Sequence, residues 1–126
     1  MKSLSTALGA AILMATPALA HHSYAMFDSA KVLKLTGTVL TFSWSNPHTY
    51  IEIQAPDASG APQKWGVECT SPAVLARAGW RSTTLKPGDQ VTISVHPLHG
   101  GELGGSFVSV VLPDGRTLTD KPPAAS

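Results

Sequence analysis

Glycine or proline interrupts this chain every few residues, 11 and 10 times respectively in 126, and that spacing excludes a fold built from long helices. Glycine weakens a helix and proline removes a backbone donor, so the runs between them read as short strands joined by turns. Residues 32–42 form the longest run, rich in β-branched and apolar side chains, with Gly37 in its middle to mark a bulge or sharp bend. Residues 49–54 alternate around Tyr50, Ile51 and Ile53 and give a second strand. Residues 64–69, 90–95 and 107–112 give three more, and Thr117-Leu118 a last short one. One segment reads as helical. Ser71-Pro72 is an N-cap followed by a first helical residue, and Gly79 stops the helix after Ala78.

Three strands, a short helix and two further strands is the order of an all-β, OB-like Greek-key barrel of five to six strands, with the helix between strands three and four. A plain sandwich is the competing arrangement. A barrel would set the first-to-second loop, residues 44–48, and the fourth-to-fifth loop, residues 96–105, around one binding surface. Trp44, Trp65 and Trp80 read as core or barrel-plug residues, and one left exposed near the loops would stack on a sugar or another ring.

The first 20 residues read as a secretory signal: Lys2, an apolar run over residues 4–14, Pro17, and the small-x-small exit Ala18-Leu19-Ala20. The expected organisation is signal 1–20, N-terminal arm 21–31, barrel 32–119 and disordered tail 120–126. The mature chain is expected to be periplasmic or secreted, soluble, and without a membrane span. Loss of Lys2 balances basic against acidic residues, which number 9 and 8 in the full chain, and on this ground nucleic acid is excluded as a partner. Cys69 is the only cysteine, so no internal disulfide forms. It reads as a buried small hydrophobe, or else a free thiol open to metal, oxidant or a second chain. No nucleophile elbow or paired-cysteine motif is present, and the Gly100-Gly101 and Gly104-Gly105 pairs lack the helix and Lys-Ser/Thr of a phosphate loop. No catalytic residue is assigned.

Cleavage after Ala20 would expose His21 as the first residue, and its α-amine and imidazole can chelate one metal. Nitrogen donors in a tetragonal set favour copper(II), and deprotonating the amine costs little near neutral pH. His48, fixed by Pro47, and His96, held by Pro97, are the expected completing ligands; Met26 or Cys69 would add sulfur. His22 points away from His21 in an extended arm. Structural readings stand beside these: a solvated His21-His22 pair, His48 bonded to turn backbone, His96 structural, His99 exposed, and Glu68 as an outward strand residue.

The residues His21-His22-Ser23, Asp28, Lys31, Leu35-Thr36-Gly37-Thr38-Val39, Asn46-Pro47-His48, Trp65, Glu68, Ser71-Pro72, Gly79-Trp80, Leu85-Lys86-Pro87-Gly88-Asp89, His96-Pro97 and Asp114-Gly115-Arg116 resemble a family of small bacterial periplasmic proteins known as a domain of unknown function. The resemblance implies export and a small β-rich domain, and carries no activity; Cys69 and His99 depart from its pattern. The N-terminal histidine separately resembles that of histidine-brace copper proteins. The leading expectation is a periplasmic copper-binding or other metal-binding carrier, buffer or accessory protein. The alternative is a metal-free OB-like envelope module that binds a small ligand, a glycan or a protein partner. A third is a subunit that supports an exported enzyme.

Overall fold

The computed structural model describes residues 24–125; the proposed signal, His21 and His22 lie outside them. After a 3-10 turn at Tyr24–Met26, the elements are β1 (Leu33–Ser43), β2 (Tyr50–Pro56), β3 (Pro62–Glu68), α1 (Pro72–Arg77), β4 (Gln90–Pro97), β5 (Gly104–Val111) and β6 (Thr117–Leu118).

β1 is long enough to serve two neighbours. Its first half, Leu33 to Thr38, pairs antiparallel with β4, and its second half, Thr38 to Ser43, pairs antiparallel with β2. β2 pairs with β3 and β4 with β5, and a short parallel ladder between β3 and β5 closes the circuit. Five strands thus form a closed barrel, β6 extends β5, and α1 falls between β3 and β4. This is the OB-like order read from the sequence, and the sandwich is excluded by the closure.

The expected bulge at Gly37 lies elsewhere. The register slips between Val39 and Thr41, whereas Gly37 stays paired with Val91. Glycine is required at 37 for a different reason: a Cβ there would overlap the Gln54 carbonyl oxygen. At this point the β2 backbone at Gln54 and Ala55 passes directly over β1.

Alternation sends Val39, Ile51, Ile53, Val67, Ile93, Val95 and Val110 inward, where they are fully buried. α1 adds Leu75, with no exposed surface. Its start is capped by Ser71, whose Oγ accepts from the Val74 amide at 3.4 Å, and Gly79 turns the chain away at φ +92. Trp80 then fills the barrel interior. It packs edge-on against Phe107 at 5.3 Å between ring centroids, and its Nε1–H donates to the Thr119 carbonyl at 2.9 Å. Among the described residues no helix is long and apolar enough to cross a membrane.

Gly37→Ala should destabilise the barrel by about 1–3 kcal/mol, the usual cost of forcing atoms into filled space, read from urea unfolding. Leu75→Ala should cost about 2–5 kcal/mol in the same assay.

Candidate functional site

The outer face of β2 and β3 carries an unusual side chain. Inward Ile51, Ile53 and Ala55 leave Tyr50, Glu52 and Gln54 outward, opposite Glu68, Gly66 and Lys64 of β3. Tyr50 is 40 % exposed. Its ring lies across Gly66, where any Cβ would meet the phenol. Partial burial, followed by the negative charges of Glu52 and Glu68, raises the Tyr50 phenol above its ordinary pKa, against the opposing pull of Lys64.

The other wall comes from the N-terminal arm and the loop before β5. Phe27 forms an isolated bridge with Leu98. The Asp28 amide donates to the Pro97 carbonyl at 2.7 Å, and the His99 amide donates to the Met26 carbonyl at 3.0 Å. Asp28 also makes the turn that ends the arm. It accepts from the Ala30 amide at 3.2 Å and pairs with Lys31 at 3.2 Å, and its bonding to Lys31 holds its pKa below the ordinary carboxylate value.

Tyr50, Met26, Phe27 and Leu98 line a groove of about 150 Å³ together with Gly66, Gly104, Gly105 and Glu68. The glycines are necessary to it, since a Cβ on Gly104 would come within 2.8 Å of a Leu98 methyl and 3.3 Å of the Gly66 carbonyl oxygen.

Beside the groove stands His48. Its Nδ1 lies 3.0 Å from the Cys69 carbonyl oxygen, and a ring nitrogen facing a carbonyl must donate. That leaves Nε2 directed at Glu68, 3.6 Å from Oε1. Glu52, by contrast, is fully engaged, by Lys64 at 2.9 Å and the Thr41 hydroxyl at 3.1 Å. Its bond to Lys64 is the main cause of its lowered pKa.

The structure gives His48 and His96 separate partners. His96 Nδ1 lies 2.7 Å from the Lys31 carbonyl oxygen and holds the end of the arm to β4. Among the described residues no group of three or more His, Cys, Asp or Glu side chains is gathered closely enough to hold a metal. His21 lies outside the described residues. Cys69 is buried.

Sequence reasoning missed the groove, because its parts are glycines and apolar side chains from four separate segments. Tyr50 was the available signal: the one aromatic side chain on the outward face of an otherwise polar alternation.

A family model matches residues 10–107 of the chain, most of its length. The chain belongs to DUF6152, a family of unknown function. No curated protein matches this DUF6152 member. Its barrel is similar to that of the mitochondrial single-stranded DNA binding protein Rim1 from S. cerevisiae, with a TM-score of 0.47 and 10 % identity over 65 % of this chain and 93 % of that one. The exclusion of nucleic acid drawn from net charge is withdrawn, because a charge summed over the whole chain does not describe the face that would meet a single strand. Net charge was the wrong criterion, because barrels of this kind hold single strands by ring stacking and local cations. At this identity and TM-score the likeness carries no ligand over to the DUF6152 chain.

Burial, reinforced by the charges of Asp120 and Glu68, pushes the Cys69 thiol far above its ordinary value. A raised folded pKa gives stability that is complete below the unfolded value and is lost as pH rises past it. Between about pH 8.5 and 9.5 this cysteine should cost the fold roughly 1 kcal/mol as the unfolded thiol ionises. Urea unfolding of the parent chain should show that loss, and Cys69→Ala should remove it; equal slopes for the two would contradict it.

Proposed function

We propose that this DUF6152 protein is a binding module of the cell envelope, exported by residues 1–20, which uses the β2–β3 face to take an apolar side chain carried beside a positive charge. The observation that carries this reading is the groove itself. At about 150 Å³ it falls below the roughly 300–1,000 Å³ of sites for drug-sized ligands and suits a single side chain. Tyr50 and Met26 offer ring and thioether contacts to an inserted aromatic group. Glu68, whose one ionic neighbour among the described residues is His48, supplies the complementary charge. Together these features match a peptide segment of a partner protein.

Acetyl-phenylalanyl-lysine amide is a direct probe, followed by tyrosine and tryptophan fluorescence. Tyr50→Ala should weaken it about five- to tenfold, from the lost ring contact, and Glu68→Gln about two- to fivefold, as for an exposed ion pair. Unchanged affinity in both variants, or tighter binding of an oligothymidylate at the same face, would overturn the reading.

His48 favours a second reading, in which this end of the barrel holds copper or a similar divalent ion. An imidazole whose Nδ1–H is fixed on a carbonyl presents Nε2 as a metal donor. Two ligands about 2.1 Å from one ion lie at most roughly 4.2 Å apart, and Nε2 and the Glu68 carboxylate are separated by 3.6 Å. His21 precedes Tyr24 by three residues, a reach of about 10 Å. In this reading His21 and His48 bind the ion with Glu68, and His96 keeps its structural bond to Lys31. Calorimetric copper(II) titration of a chain starting at His21 should give one site. It should be lost when a residue is added in front and weakened at least about tenfold, the scale of even an outer-shell change, by His48→Ala. Equal affinity in all three chains would eliminate it.

A further inference from the structure

A second cavity lies at the far end of β5 from the groove, some eight strand residues or about 25 Å away. It is a polar cleft of about 390 Å³ formed by the connection from α1 to β4 and the turn between β5 and β6. Three cations line it: Arg81, Lys86 and Arg116. Two carboxylates line it as well, and each is already committed. Asp89 accepts from the Lys86 amide at 3.0 Å and faces the Lys86 ammonium at 3.9 Å. Asp114 accepts from the Arg116 amide at 3.0 Å and the Arg116 Nε–H at 2.8 Å, bonds that hold its pKa below the ordinary value.

Arg81 has no such restraint. Its backbone amide donates to the Thr84 hydroxyl at 2.7 Å, which anchors the turn, while its guanidinium has no carboxylate partner among the described residues. Thr84 Oγ1 accepts that bond and keeps its own proton to donate, and the Thr83 hydroxyl lines the same wall. The cleft therefore holds one uncompensated guanidinium, two cations whose charge is only locally balanced, and hydroxyl donors. A guanidinium fork matches a tetrahedral oxyanion bidentately.

We propose that this cleft binds a phosphoryl group, with Arg81 as the principal ligand and Lys86 and Arg116 at the rim. The carboxylates set its selectivity: they repel an anion unless it reaches Arg81 directly. The site is independent of the β2–β3 groove, so either can fail without the other.

The test is titration of the full chain with inorganic phosphate at low salt, beside co-sedimentation with phosphatidylcholine vesicles with and without phosphatidic acid. Arg81→Ala should weaken phosphate binding about tenfold or more, as expected for loss of charge-assisted hydrogen bonds. Asp114→Asn, whose amide oxygen can still accept from the Arg116 amide, should strengthen it. Tyr50→Ala should leave it unchanged. Phosphate binding without vesicle binding identifies a soluble phosphate ester as the ligand, and Arg81-dependent binding confined to phosphatidic acid vesicles identifies a lipid headgroup. An Arg81→Ala chain that binds both as the parent does, or a parent that binds neither, overturns the proposal.

Discussion

The parallel pairing of β3 with β5 is the contact on which the rest of this structure depends. It has three register positions, Gly66 with Gly104, Val67 with Gly105, and Glu68 with Ser106, and two of them bring a glycine from β5. Without it the sheet would stay open, with exposed edges along β3 and the start of β5. With it, Val67 lies in the common core, and Glu68, already opposite Tyr50 in the β2–β3 ladder, is set beside Ser106 of β5. A Cβ on Gly105 would strike Val95 and the His96 carbonyl, so β4 and β5 also approach closely through this glycine. The same absence of side chains that permits closure lets Tyr50 lie across Gly66 and Leu98 come down onto Gly104, the two contacts that shape the groove. Fold and candidate site share one steric requirement.

The histidines divide according to what their Nδ1 atoms meet. His96 faces the Lys31 carbonyl and fastens the arm to β4, which is how Met26 and Phe27 come to wall the groove. His48 faces the Cys69 carbonyl and turns Nε2 toward Glu68. Both bonds are to backbone, and neither ring is thereby spent, because an imidazole that donates through one nitrogen accepts through the other. Position separates their roles: His48 adjoins Glu68, which lines the groove, while His96 faces a different cavity, beside Phe107 and Asp120.

The architecture was legible because its signals are local. Alternation over residues 49–54, the Ser71-Pro72 start, the Gly79 stop and the Thr117-Leu118 stub each depend on a few neighbouring residues, and each stands in the structure where the spacing put it. Gly37 shows the limit. A glycine inside a strand signals a backbone constraint, but whether it serves a bulge or a close approach is decided by Gln54, far along the chain. The groove was not legible for the same reason. Tyr50 is visible as an outward aromatic, yet its meaning rests on Gly66, Leu98, Gly104 and Met26, which only the closed barrel brings together. Net charge misled for a related cause, since a sum over the chain does not describe any one face.

The central claim is that the β2–β3 face is where this module binds. Its most direct measurement is a backbone-amide shift map of the isotope-labelled chain titrated with acetyl-phenylalanyl-lysine amide. Changes concentrated on Tyr50, Gly66, Glu68 and Gly104, with the far end of β5 undisturbed, are the expected result. Shifts centred on the Arg81 cleft, or scattered without relation to the groove, would contradict it.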